Sequence, residues 1–114
     1  MLCRCNHGRN SEMTKKVTRI HLRKCDYKFF EDEYISEISD YIESTYSQHY
    51  SKKKFQASEF IYDAGHGTGF NMGNVMKYAQ RYGNKGTTDD HRKDLMKVIH
   101  YAILQLYVHD QDCE

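Results

Sequence analysis

Proline is absent from the 114-residue sequence, and no long uncharged apolar run occurs in it. Because proline breaks helix interiors, its absence permits long helices without proving them. The lack of a long apolar run excludes a transmembrane helix. Residues 1–24 also lack the apolar segment that a secretory signal peptide requires. We therefore expect a soluble globular protein with no membrane partner.

A large excess of charge of either sign is missing as well. Lysine and arginine number 17 against 16 aspartates and glutamates, which leaves a formal net charge of +1. A protein that coats nucleic acid needs a basic excess to neutralise phosphates, so nucleic-acid binding is the least favoured function. A chain of 114 residues forms one domain with a modest core. Small cores are often completed by a second subunit, so oligomerisation is expected.

Cysteine is scarce, and its four positions form no obvious framework: Cys3, Cys5, Cys25 and Cys113. Without a secretory signal, reduced thiols are expected. Cys3, Cys5 and His7 resemble the start of a zinc site, but no second ligand pair follows. We therefore predict no metal and no cofactor. The segment that begins at Met13 resembles an ordinary protein N-terminus more than the segment that begins at Met1 does. Residues 1–12 are therefore expected to be a flexible tail before a single helical domain at 13–114.

Hydrophobic spacing predicts a mainly α fold of about four helices with one short strand. Weak alternation predicts the strand at residues 17–24. The helices are predicted at 29–47, 56–64, 71–82 and 88–109. Gly65 and Gly83 are expected to end the second and third helices, and Asn71 is expected to be the N-cap of the third.

The last predicted helix is apolar on two faces. Its core stripe is expected to consist of Leu95, Ile99, Ala102, Ile103 and Leu106. Leu104 and Val108 project roughly opposite when placed at about 100° per residue. Two apolar faces both need a cover, one from the chain's own core and one from a second subunit. This pattern predicts a homo-oligomer.

The third predicted helix carries the residues that point most directly to a ligand. Asn74, Lys77, Tyr78 and Arg81 share one face, and Lys85 follows just beyond the helix. Arginine contacts a phosphate through two N–H groups, lysine supplies a point charge, and tyrosine offers a stacking surface for a base. These residues therefore predict a nucleotide site. The same spacing also describes an ordinary solvated helix face.

A glycine-dense segment, Gly65-His66-Gly67-Thr68-Gly69, precedes this helix. Small residues let a phosphate approach the chain, and the free N–H groups of a helix N-terminus bind anions. We expect a flexible loop here that adds to the predicted site. It is neither a P-loop nor a dinucleotide fingerprint, because the Gly-Lys-Ser/Thr ending and the preceding parallel strand are both missing.

Further candidates lie on the other helices. Asp94, Lys97 and Tyr101 project together, with Asp94 placed to orient Arg81 or Lys77 or simply to form an ion pair between helices. The complete set of predicted ligand-binding residues is Asn71, Asn74, Lys77, Tyr78, Arg81, Lys85, His49, Tyr50, Asp94, Lys97 and Tyr101.

No catalytic residue is predicted, because the sequence contains no convincing nucleophile and base grouping. Glu33, Glu37 and Asp40 share one helix face and have the spacing of magnesium ligands. No further acidic pair follows on a second helix, so a solvated acidic face is the favoured interpretation.

Residues 49–107 contain four notable motifs, His49-Tyr50, QASEFI at 56–61, FNMGNVMKYAQRYGNK at 70–85 and DLMKVIHY at 94–101. In these motifs the chain resembles the SaV-like family of small bacteriophage proteins. The chain departs from the family in its longer GHGTG link and in His100, where a tryptophan or another bulky residue is common. The resemblance implies a phage protein acting in the cytoplasm of an infected bacterial host. It also implies a nucleotide connection, since one relative resembles a phage nucleotide kinase.

Three functions remain open on the sequence. The first is an oligomer that captures a nucleotide or a nucleotide-derived immune signal of the host, acting as a sponge without chemistry. The second is a deoxynucleoside monophosphate kinase that lacks a Walker motif, because phosphoryl transfer depends mostly on positioning and charge. The third is a protein-interaction module, since ten tyrosines fit an interface as well as a stacking pocket. Capture without catalysis is slightly favoured.

Overall fold

The computed structural model describes residues 25–50 and 57–113, without the side chains of residues 49 and 50. The helices in these ranges are α1 Glu31–Thr45, α2 Ala57–Asp63, α3 Gly67–Arg81 and α4 Thr88–Gln111. Helix α1 continues into a π-helical segment, Tyr46–Tyr50. The described part of the chain has no strand, so the mainly α prediction is confirmed. The predicted strand at 17–24 and the predicted tail at 1–12 lie outside the described residues.

The ends of α4 follow the sequence closely. Thr87 is its N-cap and forms a capping box with Asp90, in which each side chain accepts from the backbone N–H of the other residue. The backbone N–H of Thr87 is the main cause of the lowered pKa of the Asp90 carboxyl. The predicted helix at 88–109 is thus confirmed, with two more residues at its C-terminus.

Helix α3 begins four residues before its predicted start. Its N-cap is His66, and Gly67, Thr68 and Gly69 form its first turn, so the predicted glycine loop and the predicted Asn71 cap were wrong. The reason is tertiary packing. A Cβ atom built on Gly67 lies 3.0 Å from both the Tyr62 ring and a Val108 methyl group. Close approach of three helices therefore keeps this glycine helical despite its low helix propensity.

Helices α3 and α4 form an antiparallel hairpin, joined at residues 82–87. Gly83 has a φ of +80°, which allows the chain to leave α3 as predicted. Along the hairpin, Gly67 lies against Val108, Asn71 against Gln105, and Arg81 against Asp94. Helix α1 contacts α4 through Glu37 with Arg92, and through the rings of Tyr41 and His100.

The interior of the described residues is unusually polar. Its buried apolar side chains are Ile38 and Val108, whereas Thr45, Asn71, Asp94 and His100 are buried polar ones. The predicted core stripe of α4 was wrong, because Leu95, Ile99, Ile103 and Leu106 are each at least 39% exposed. A helical wheel gives the angle between two faces but does not say which face the neighbouring helices cover. None of the described helices is both long and apolar enough to cross a membrane.

Candidate functional site

Six of the predicted site residues lie together where α3 packs on α4. We call them the Tyr78 cluster: Lys77, Tyr78 and Arg81 of α3, with Asp94, Lys97 and Tyr101 of α4. The Tyr78 and Tyr101 rings are nearly parallel, with an interplanar angle of 11° and centroids 6.1 Å apart. This distance lies in the range of stacked aromatic pairs, so the two rings join the helices at the centre of the cluster.

Two lysines share the Tyr78 ring. The Lys77 Nζ and the Lys97 Nζ each lie 4.9 Å from its centroid. Both distances are within the range of a cation–π contact. Because both nitrogens are measured from one centroid, they lie within twice that distance of each other. Two ammonium groups that flank one ring form a local concentration of positive charge, which attracts an anion able to reach both.

Arg81 is the third cation, and a buried carboxylate holds it. Its Nε lies 3.5 Å from Oδ2 of Asp94, whose side chain is 3% exposed. Both atoms are buried, and neither has a hydrogen-bond partner among the described residues. The Arg81 side chain as a whole is 37% exposed. Asp94 therefore anchors the inner part of the guanidinium, while its outer part reaches the surface.

The Tyr101 ring of the cluster packs against further side-chain rings of the protein. The Tyr101 ring contacts Phe70 edge-on at 5.9 Å and stacks on His100 at 6.1 Å. His100 in turn contacts Tyr41 of α1 edge-on at 5.8 Å. His100 is 8% exposed, and its burial lowers the pKa of the imidazole, which favours the neutral ring at neutral pH. The site thus rests on rings from three helices.

Asn71, one of the predicted ligand-binding residues, is buried and forms hydrogen bonds within the protein. The Tyr62 hydroxyl donates to Oδ1 of Asn71 at 3.0 Å, and Nδ2 of Asn71 donates to Gln105 at 3.3 Å. Gln105 donates onward to the Thr68 hydroxyl at 3.0 Å. Asn71 has no exposed surface, and its two hydrogen bonds join α3 to α2 and to α4. No local sequence pattern predicts this network, because two of its three hydrogen bonds join residues more than 30 positions apart.

The remaining predicted site residues do not join the cluster through any contact that the structure describes. Asn74 donates to the backbone oxygen of Phe70 at 2.9 Å, and Lys85 is exposed in the connection after α3. His49 and Tyr50 end the π-helical segment, and their side chains lie outside the described residues. Ligand binding by these residues stays a prediction.

The glycine segment and the Tyr78 cluster are separate features. Lys77 is ten positions after Gly67, which is about 15 Å along a helix at its 1.5 Å rise per residue. Thr68 is engaged by Gln105, and Gly67 is buried against Tyr62 and Val108. The structure therefore describes no contact that joins the glycine segment to the Tyr78 cluster, and a contribution of both to one phosphate site stays a prediction.

The acidic residues of α1 do not form a metal site in the structure. Arg92 donates through both terminal nitrogens to the Glu37 carboxylate, and these hydrogen bonds lower the carboxyl pKa. Among the described residues, no three histidine, cysteine, aspartate or glutamate side chains are grouped to hold a metal ion. Glu37 thus connects α1 to α4.

A cleft of about 910 Å³ opens elsewhere, between α1, α2 and the C-terminal half of α4. Three tyrosines line it, Tyr46, Tyr62 and Tyr107, and its charged lining residues are Glu59, Asp63 and Asp112. Three carboxylates without a cation disfavour a phosphate. The Tyr78 cluster, with three cations against one carboxylate, is therefore the better candidate for an anionic ligand.

The Tyr78 cluster lies within the part of the chain that matches a known family. The chain belongs to the DUF3310 family of proteins of unknown function, which matches residues 44–103. All four segments on which the phage resemblance rests fall within that range. No curated protein and no solved structure matches the chain. The family brings no assigned activity with it, so function has to be argued from the site.

Proposed function

We propose that this chain binds the phosphate of a nucleotide at the Tyr78 cluster. The observation that carries the proposal is the placement of two lysine ammonium groups, each 4.9 Å from the centroid of one tyrosine ring. Two ammonium groups beside one ring attract an anion that can reach both, and a phosphate carries the charge and the oxygens to do so. Charge-assisted hydrogen bonds from ammonium groups are stronger than those between neutral groups.

Arg81 adds directional contact to this charge. Asp94 restrains the guanidinium through Nε, which leaves the terminal nitrogens to meet a second phosphate oxygen or a second phosphate. A side chain that is already oriented loses less freedom on binding. The proposed site therefore combines two mobile point charges with one fixed planar donor.

The tyrosines supply the part of the ligand that is not phosphate. Tyr78 is half-buried, and its ring is held by Tyr101 on one side of the cluster. A base or a ribose that leans on the remaining exposed ring gains apolar contact. Inorganic phosphate should accordingly bind more weakly than a nucleotide.

Capture without chemistry is the mode that we propose. Phosphoryl transfer needs a donor and an acceptor held in line and a group that accepts the hydroxyl proton. The one carboxylate of the Tyr78 cluster, Asp94, is buried against Arg81 and so is poorly placed to meet a substrate hydroxyl. In this proposal the protein acts as a phage sponge for a nucleotide or nucleotide-derived immune signal in the host cytoplasm. It is also a homo-oligomer, because the exposed apolar face of α4 needs a cover.

The test is depletion and recovery of a nucleotide panel. Purified protein is incubated with mono- and triphosphates, cyclic dinucleotides and ADP-ribose derivatives, and the free compounds are quantified by chromatography before and after heat release. We expect one compound to disappear and to return unchanged. A compound that returns phosphorylated supports the kinase alternative instead, and a panel that is never depleted contradicts nucleotide binding.

Substitutions then locate the site. Lys77→Gln and Lys97→Gln each remove one cation without leaving a buried charge, and each should weaken binding about tenfold or more in calorimetric titration. Lys28→Gln is the matched control, because Lys28 is exposed before α1 and outside the cluster. Wild-type affinity in both cluster variants would show that the ligand binds elsewhere.

A further inference from the structure

The outward face of α4 has the spacing of a coiled-coil seam. We call this face the α4 seam: Leu95, Ile99, Ala102 and Leu106, at intervals of four, three and four residues. Leu95 is 42% exposed, Ile99 41% and Leu106 63%. Apolar residues repeated at such intervals occupy the two core positions of a heptad and pack against a second helix. The described helices leave the seam uncovered.

We propose that a second copy of this chain packs its own α4 seam on this one, with the two helices antiparallel. A seam that meets itself across a two-fold axis closes the assembly at two chains, since each copy offers the same surface. This inference concerns a specific interface and does not depend on nucleotide binding.

Side-chain size favours the antiparallel arrangement. In that arrangement Ile99 meets Ala102 of the second copy, and Leu95 meets Leu106. A large residue then faces a small one at the centre, which is how apolar layers interdigitate. A parallel pair instead sets alanine against alanine at position 102 and leaves a gap there.

Charge favours the same arrangement. Arg92 lies at one end of the seam, and Asp110 lies at the other. Antiparallel helices bring Arg92 of each copy beside Asp110 of the other, next to its existing pair with Glu37. A parallel pair instead sets Arg92, seven residues before Ile99, against the same arginine of the other copy, and such a like-charged contact disfavours that pairing.

The proposed interface leaves the Tyr78 cluster accessible. Lys97 and Tyr101 lie on the side of α4 that faces α3, away from the seam. A dimer therefore carries two separate clusters. Disrupting the interface and disrupting the nucleotide site are thus separable by substitution.

Sedimentation equilibrium of the full chain tests the assembly. We expect twice the mass of one chain, and Ile99→Glu should raise the dissociation constant about a hundredfold or more, because two carboxylates would be buried at the centre of the interface. Met76→Glu is the matched control, since Met76 is 67% exposed on α3 and outside the seam. Circular dichroism checks that both variants stay helical. A monomeric wild type, or an Ile99→Glu variant that remains dimeric, would overturn the proposal.

The distance between two spin labels tests the orientation. The label is attached through His109→Cys in a chain whose own cysteines are replaced by serine. In the antiparallel dimer the labels lie near opposite ends of the seam, about 25 Å apart along the axis. In a parallel dimer they face each other at about 15 Å or less, given helix axes about 10 Å apart. The shorter distance would contradict the antiparallel arrangement.

Discussion

The two long faces of α4 show the reverse of the usual pattern, because polar residues lie on the inner face and apolar residues are exposed on the outer face. The face toward α3 carries Asp94, Lys97 and Tyr101, and Asp94 is 2% exposed. The outward face carries Leu95, Ile99 and Leu106, all more than 40% exposed. A polar interface between helices is unfavourable unless its groups are paired, and an exposed apolar face is unfavourable unless it is covered. The difference is the reason for our two proposals, a ligand site on the inner face and a second copy of the chain on the outer face.

The largest expected effect is a loss of stability when a side chain is added at Gly67, a closely packed position of α3, compared with the open position Gly69. Gly67→Val should lower the free energy of unfolding by about 3 kcal/mol, because the added side chain overlaps Tyr62 and Val108. Urea unfolding followed by circular dichroism measures it. Gly69→Ala is the control, since a Cβ atom there meets nothing within 4 Å and alanine favours the helix. Equal destabilisation by both variants would show that the hairpin is not packed closely at Gly67.

A smaller effect tests whether the buried Asp94–Arg81 pair on the inner face of α4 stabilises the fold or serves nucleotide binding. Asp94→Leu should lower the free energy of unfolding by about 2 kcal/mol, because it leaves Arg81 Nε without its carboxylate. Adding Arg81→Met should restore most of that loss, as apolar replacements of buried ion pairs often do. The double variant should nevertheless bind nucleotide more weakly. A double variant that is no more stable than Asp94→Leu alone would show that the pair itself stabilises the fold.

The smallest expected effect is a change of stability with pH that comes from the buried His100 of α4. Burial lowers the pKa of His100 in the folded protein, so the unfolded chain binds its proton first as the pH falls. Stability should therefore decline below the unfolded value of about 6.5 and level off below the lower folded pKa. The measurement is unfolding by urea between neutral and mildly acidic pH.

A substitution at the buried ring checks the source of this pH dependence. His100→Phe should flatten the stability profile in this pH range, because it removes the group whose pKa burial lowers. A profile that His100→Phe leaves unchanged would show that another group binds the proton.

The helices and much of the candidate site were predictable from the sequence. The local signals were strong for α4, where Thr87 and Asp90 form a capping box, and for the end of α3 at Gly83. Spacing alone also grouped Lys77, Tyr78 and Arg81, which the structure then joins to Asp94, Lys97 and Tyr101. These groupings depend on the 3.6-residue turn of a helix, which is a local property.

Two features were not predictable, and both depend on contacts between helices. Gly67 is helical because Tyr62 and Val108 surround it, although glycine-rich segments usually form loops. The hydrogen bonds of the network around Asn71 join residues up to 37 positions apart, and no local pattern marks it.

The sequence by itself determined that the described chain is helical, where most of its helices end, and which charged and aromatic residues share a face. Only the tertiary structure decided which face of each helix is inside. Periodicity sets the angle between two faces of a helix, but burial depends on the neighbours that pack against them. In α4 both faces were suitable for contact, so the packing of α3 made the polar face internal and left the apolar face exposed.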